Sequence, residues 1–283
     1  MGYGDDLLVT KIASKIKKQF PNRQIVIGDA KNNNVYHSII YDNNPNISDC
    51  RNLEKNIPIQ IIDYHPYNRP YIDYINSTNT KYIWKKYKPQ PGEIYFSKKE
   101  KIDAKNVITE AIEFWNSNNN KNYKKIIFIE TTSTKVKDRQ FGIKHQNKDW
   151  GKDNWKKLID ILCKDYLVIQ SVHKESKKNI GPFIPKNMDF RLACAVLNEA
   201  DFYVGPEGGF GHVAAALNKK AALYFGGWIT PESIGYDFHQ NIYYKHELSP
   251  CGEYKKLCTH CEEARKAISV DIFLQYINKI SSS

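Results

Sequence analysis

The feature that most constrains the fold of this chain is a regular alternation, through its second half, of short apolar runs with amphipathic stretches. Residues 125–129 (KIIFI), 166–170 (YLVIQ), 201–204 (DFYV) and 221–225 (AALYF) have the length and β-branched or aromatic content of buried strands. Between them, residues 153–163, 189–199 and 211–217 read as helices. Strand and helix alternating about every 20 residues specify a parallel sheet covered by helices on both faces. Such sheets bind ligands beyond the carboxyl ends of their strands. Functional groups are therefore expected just after Ile129, Gln170, Val204 and Phe225.

The first half alternates less regularly. Residues 7–20 place Leu8, Ile12 and Ile16 on one helical face, and Pro21-Asn22 end that helix. Residues 24–27 (QIVI) and 59–62 (IQII) are short strands, the first closed by Gly28-Asp29, and residues 104–116 carry a second amphipathic helix. The polar stretch 117–121 (SNNNK) reads as a linker, giving an expected division into residues 1–118 and 119–283. At 283 residues the chain can bury two cores of moderate size. A Rossmann unit ordinarily opens with a strand before its glycine loop, whereas this chain begins at the loop, Gly2-Tyr3-Gly4-Asp5.

Charge narrows the function classes. The net charge of +11 comes almost entirely from scattered Lys, with only six Arg among 42 basic residues. Nucleic-acid readers cluster Arg on one element or interleave it with aromatics, so no nucleic-acid partner is expected. A basic surface instead suits anionic sugar nucleotides, anionic glycans or peripheral contact with an anionic membrane. No apolar run approaches the roughly 18–20 residues that span a bilayer, and the N-terminus lacks the basic region of a signal peptide. A cytoplasmic location follows as the expectation.

The most informative stretch runs from Asp201 to Leu217 (DFYVGPEGGFGHVAAAL), where a strand enters a glycine turn that feeds a small-residue helix. Glycines let backbone N–H groups approach a phosphate, and the helix N-terminus adds favourable partial charge. Glu207 suits a ribose or sugar hydroxyl, and His212 can donate to phosphate. A plain tight turn with a locally satisfied His212 is the simpler alternative. The loop 225–239, rich in Gly, aromatics and Pro, is placed to hold a base or sugar.

This run resembles the donor-binding motif of glycosyltransferase family 9, the ADP-heptose:lipopolysaccharide heptosyltransferase family, whose pattern is acid-Thr-Gly-x-x-His-x-x-Ala-Ala. Here it reads Glu207-Gly208-Gly209-Phe210-Gly211-His212-Val213-Ala214-Ala215-Ala216. Asn147-Lys148-Asp149-Trp150, with Leu158 following, is similar to the family's Lys-x-Trp-Pro…Leu segment. Gly4-Asp5-Asp6-Leu7-Leu8, with Phe20-Pro21 after a helix, is similar to its N-terminal signature. The three blocks stand in the family's order. Gly208 replaces the Thr and Gly151 the Pro, which marks a divergent relative.

The resemblance implies a GT-B-like α/β fold, two Rossmann-type domains with parallel sheets facing a cleft. It implies an enzyme that moves a sugar from a nucleotide-sugar donor to a glycan acceptor. Asp5 maps onto the family's general base, a carboxylate suited to deprotonating an acceptor hydroxyl. Asp6 is an acceptor-side candidate or a cap for the helix near Leu7; both acids are alternatively plain first-turn residues facing the helix dipole. Donor-binding candidates are Thr131, Thr132, Lys148, Glu207, Gly208, Gly209 and His212, with Ser133, Thr134, Lys135 and Lys144 nearby. His65 and Arg69, in a loop rich in Tyr, Asn and Pro, are acceptor-side candidates. No Asp-x-Asp pair lies on a suitable loop, so transfer without a metal or other cofactor is expected, the leaving diphosphate being neutralised by Lys.

Three cysteines are isolated (Cys50, Cys163, Cys194) and three are clustered (Cys251, Cys258, Cys261), with His246 and His260 close by. Structural zinc takes four ligands, commonly from two Cys pairs or Cys3His, and here only one Cys-x2-Cys pair exists. A packed turn of reduced thiols is the expectation. Competing functional classes are a nucleotide-sugar epimerase or hydrolase, and a non-catalytic sugar-nucleotide or glycan-binding module.

Overall fold

The computed structural model describes residues 2–131, 146–172 and 180–282. The chain opens with helix α1 (Tyr3–Gln19), then strands β1 (Gln24–Asp29), β2 (Asn34–Val35) and β3 (Ile59–Asp63). A hairpin, β4 (Ile72–Asp73) and β5 (Ile83–Trp84), precedes helix α2 (Lys98–Asn118). The second half runs β6 (Ile126–Glu130), α3 (Lys152–Leu162), β7 (Leu167–Ser171), α4 (Phe190–Glu199), β8 (Phe202–Pro206), α5 (Gly209–Ala216) and β9 (Lys220–Gly226). It closes with α6 (Pro231–Ile234), β10 (Gln240–Tyr243), α7 (Thr259–Ala267) and α8 (Val270–Ser281).

Among the described residues the second sheet has five parallel strands in the order β10-β9-β8-β6-β7. Its strands are continuous apolar runs because both faces are covered. On one face Ile127, Ile129, Val168, Phe202 and Val204 pack with Trp150, Trp155, Leu158 and Phe273 from α3, α8 and their flanks. On the other, Phe128, Ile169 and Tyr203 join α2, α4 and α5 through Trp115, Val196 and Val213. Strand order reverses between β6 and β8, and ligand crevices open at such switch points.

The first sheet is smaller. Among the described residues it has three strands, β2-β1-β3, with β1 and β3 parallel and β2 an antiparallel edge. Among the described residues α1 is the first element, and Gly4 and Asp5 occupy its first turn. The Gly2 N-cap makes no side-chain cap, so Asp6 does not cap this helix; its carboxylate is used elsewhere. The core of this sheet is continuous with that of the second, since Leu7, Ile25 and Ile27 belong to the same apolar cluster as Phe128 and Phe210.

Helix α2 starts with a full capping box, Ser97 and Glu100 bonding reciprocally. It continues through Asn118, and Trp115 Nε1 donates to Lys121 O at 2.7 Å to fold the following polar stretch back. Arg191, buried on α4, ties the halves together. It donates to Ile39 O, Tyr95 O and both carboxylate oxygens of Glu100.

Candidate active site

Two helix N-termini meet in this molecule. Gly4, in the first turn of α1, lies so close to His212 and Gly209 of α5 that a Cβ there would come within 2.9 Å of His212 Cδ2 and 3.3 Å of Gly209 Cα. Tyr3 packs against Phe190 at the start of α4, the rings tilted by 34° with 4.4 Å between centroids. Each helix start presents free N–H groups and partial positive charge, so their convergence makes a place for an anion.

At the start of α5, Gly208 has φ of +151°, a backbone setting that favours glycine. A Cβ built there would meet nothing within 4 Å, so the turn faces open space. Gly209 begins the helix. Glu207 and His212 are buried on either side of it. Lys148, at the end of a short 3-10 turn, reaches Glu207 Oε1 at 2.5 Å and lies over the Trp228 ring at 4.9 Å. The side chains of this ion pair are only 13% and 4% exposed, so removing either partner would strand a buried charge.

His212 Nδ1 shares a hydrogen bond with the Tyr236 hydroxyl at 2.9 Å. Burial, with Lys148 adding to it, pushes the His212 pKa down to about 4. Its imidazole is neutral near pH 7, so it can offer phosphate a hydrogen bond but no charge. Glu130, at the carboxyl end of β6, is pushed up to about 8 by burial, with Lys148 opposing. Thr131 follows it, buried, its hydroxyl accepting from Gln170 Nε2 at 3.1 Å. Thr132, Ser133, Thr134, Lys135 and Lys144 lie outside the described residues.

One residue beyond Gly4, Asp5 is 8% exposed. It accepts a 2.6 Å hydrogen bond from Tyr71 Oη, and Arg69 Nε stands 3.3 Å from its other oxygen, an ion pair without hydrogen-bond alignment. Adjacent Asp6 turns into the first half, accepting from Ser38 Oγ at 2.7 Å and Tyr41 Oη at 3.4 Å. Burial, the largest effect, raises its pKa. Two neighbouring carboxylates thus have separate environments. Arg69 joins Asp5 as a site neighbour; the contacts of His65 are instead with Asp63, 3.8 Å away, and the Tyr67 amide.

An aromatic path links the two ends of the site. Tyr71 stacks near Trp84, Trp84 meets Trp228 edge-on at 4.8 Å, and Trp84 Nε1 donates to Trp228 O at 2.9 Å. Trp228 in turn carries Lys148 on its face. Ser38, Tyr41, Tyr71, Trp84 and Glu130 did not stand out in the sequence. Only Glu130 carried a signal, as the single acid at the end of a strand otherwise apolar from Ile126.

The topological switch point, the glycine turn and the converging helix starts define a GT-B-like α/β protein. A family model described as glycosyltransferase family 9 (heptosyltransferase) matches residues 73–227. The chain belongs to that family. Among solved structures, the glycosyltransferase family 9 protein of Veillonella parvula aligns over 99% of this chain and 94% of its own, with TM-score 0.62 and 11% identity. The iron-containing dodecameric glycosyltransferase TibC of enterotoxigenic E. coli is 19% identical over 56% of this chain and 46% of its own, with TM-score 0.43. The ADP-heptose LPS heptosyltransferase II of E. coli is 16% identical over 70% and 54%, with TM-score 0.44. The matched part of this chain therefore spans about half the length of the latter two. No curated protein matches it by sequence. No helix among the described residues is long and apolar enough to cross a membrane.

Proposed function

We propose that this chain is a glycosyltransferase that moves a sugar from a nucleotide-sugar donor to a glycan acceptor, by single displacement with inversion and without a metal at the transfer site. The observation that carries the reading is the contact of Gly4 with His212 and Gly209, which sets Asp5 beside the glycine turn. Residues 1–118 form the acceptor side and residues 119–283 the donor side. The work belongs to surface-polysaccharide or related glycan synthesis, in the cytoplasm or at the inner face of an anionic membrane.

The donor diphosphate lies at the α5 N-terminus, against the backbone of Gly208 and Gly209 and next to Lys148. Asp5 takes the proton of the acceptor hydroxyl as its oxygen bonds to the anomeric carbon. The bond from that carbon to the diphosphate breaks, and the electron pair leaves with the nucleoside diphosphate. Lys148 and the helix start stabilise the charge that develops there. Neutral His212, held by Tyr236, adds a hydrogen bond. Arg69 and Tyr71 hold the Asp5 carboxylate in place, and the Trp84–Trp228 pair walls the cleft.

A thermal-shift screen against ADP-, GDP-, UDP- and CMP-linked sugars tests the reading, with Lys148→Met beside the wild type. One donor class should raise the wild-type midpoint, and that shift should fall by most of its size in the variant. A well-folded protein stabilised by no donor would overturn the donor site. Donor-dependent stabilisation with no transfer, unchanged by Asp5→Asn, would favour a binding module.

A further inference from the structure

The cysteine cluster has no part in the proposed transfer, yet it stands directly behind the donor site. Residues 244–258, between β10 and α7, contain neither helix nor strand. This segment is nevertheless laced to the site wall. Cys251 N donates to Gly227 O at 2.9 Å, Gly252 N to Trp228 O at 3.1 Å, and Trp228 Nε1 to Glu253 O at 2.7 Å. Asn147, the neighbour of Lys148, donates to Glu253 O and Lys256 O and accepts from Cys258 N. An irregular segment thus holds both Trp228 and the turn that aims Lys148.

The same segment gathers three sulfurs. The Sγ atoms of Cys251, Cys258 and Cys261 all lie within 4.8 Å of one another, and those of Cys251 and Cys261 are 3.0 Å apart. Thiolates around a tetrahedral cation at metal–sulfur distances of about 2.3 Å stand about 3.8 Å from each other, so sub-ångström shifts convert the cluster into a ligand set. His260 is engaged elsewhere, its Nε2 2.6 Å from Ser249 Oγ. Among the described residues no fourth Cys, His, Asp or Glu completes the group. Cys251 and Cys261 are buried while Cys258 is half-buried.

We propose that Cys251, Cys258 and Cys261 form a three-thiolate site for a thiophilic divalent cation, zinc or ferrous iron, that clamps residues 250–261 against Trp228. The cation binds as the thiols release their protons, and no electron transfer is involved. The cation site stands on the cysteines alone; only its bearing on donor binding rests on the function proposed above.

The full chain, purified anaerobically with reductant and no chelator, should contain one equivalent of zinc or iron, and elemental analysis separates the two. After removal of that metal, Co2+ alone should give intense thiolate-to-cobalt charge-transfer bands that saturate at one equivalent. Cys251→Ser and the milder, half-exposed Cys258→Ser should each weaken binding by at least about tenfold, while Cys163→Ser should not. Exchange of the Cys251 and Gly252 amides should accelerate when the metal is removed. Reduced protein that gives no charge-transfer band, a Cys251–Cys261 disulfide in its place, or full binding by Cys258→Ser would each overturn the site. Unchanged exchange would overturn the clamp. If cobalt binds as described while no nucleotide sugar stabilises the protein, the donor reading fails and the cation site stands.

Discussion

The two halves of the molecule build their shares of the site by opposite means. In the second half, a five-stranded parallel sheet delivers Glu130, Glu207 and Trp228 from strand ends, so backbone geometry alone brings them to one edge. In the first half the sheet has three strands, and the site residues come from a helix start and from the long irregular stretch between β3 and α2. That stretch is held by the other half. Tyr82 stacks on Tyr254 at 4.4 Å, Tyr82 N donates to Gly252 O, Tyr87 N to Glu232 O, and Trp84 Nε1 to Trp228 O. The difference teaches that the half proposed to bind the donor is ordered by its own sheet, whereas the half proposed to bind the acceptor is held by contacts with the other half. Changes on the first half should therefore alter chemistry with donor binding intact, and changes at the junction should alter both.

The sharpest test of that contrast is Asp5→Asn. It removes the proposed base, leaves the shape of α1 and does not touch the glycine turn. Transfer should fall by roughly a hundredfold to ten-thousandfold, while the donor-induced thermal shift stays within error of wild type. Because Arg69 would lose its carboxylate partner, a lower midpoint without donor is also expected. Loss of donor binding in this variant would show that the halves do not act separately.

A paired substitution at the junction has the next largest effect. A Cβ on Gly4 would come 2.9 Å from His212 and 3.3 Å from Gly209, whereas one on Gly209 finds nothing nearer than 3.8 Å. Gly4→Ala must push α1 away from α5, costing about 1–3 kcal/mol of stability as overpacking does, together with most of the transfer rate. Gly209→Ala should be tolerated. Urea unfolding of both variants, read beside kcat, checks the pair; equal effects would remove Gly4 as the tight contact between the halves.

The same contrast explains what the sequence disclosed. All four second-half strand signals correspond to observed strands, because periodicity and burial fix such elements locally. The glycine turn was legible for the same reason, as Gly208 needs its positive φ whatever surrounds it. Tyr71 and Trp84 were not legible. Nothing in a run of Tyr, Ile, Asn and Lys says which ring will meet Asp5, some 66 positions away, or which will meet Trp228, 144 away. Of the alternatives open for Asp6, the helix cap does not form, because its partners, Ser38 and Tyr41, come from a loop that only the fold brings near. Lys148 and Glu207 were each expected on the donor; in the structure they form an ion pair with one another.

The most specific test is a pH dependence carried by the second half. His212 is buried and its pKa is lowered to about 4 by burial and then by Lys148, against about 6.5 in an unfolded chain. A base whose folded pKa is depressed contributes stability above the unfolded value and loses it as pH falls through the folded one. Between pH 6.5 and 4 the unfolded chain therefore takes up a proton that the native state refuses, and stability drops by up to about 3 kcal/mol for this residue. His239, also lowered to about 4 by burial, adds to the slope. Glu130 works in the opposite sense, since a carboxyl raised to about 8 makes the native state hold the extra proton, so stability declines as pH rises from about 4.5 to 8. Their ranges overlap between pH 4.5 and 6.5, where the wild-type curve mixes both. Subtracting the denaturation curves of His212→Gln from wild type isolates one term: the variant should lose stability less steeply between pH 6.5 and 4 and match the wild-type slope above pH 7. Glu130→Gln should do the converse, flattening the decline toward pH 8. If His212→Gln leaves the acid slope unchanged, His212 is not buried neutral at the α1–α5 junction, and its hydrogen bond to the donor falls with it.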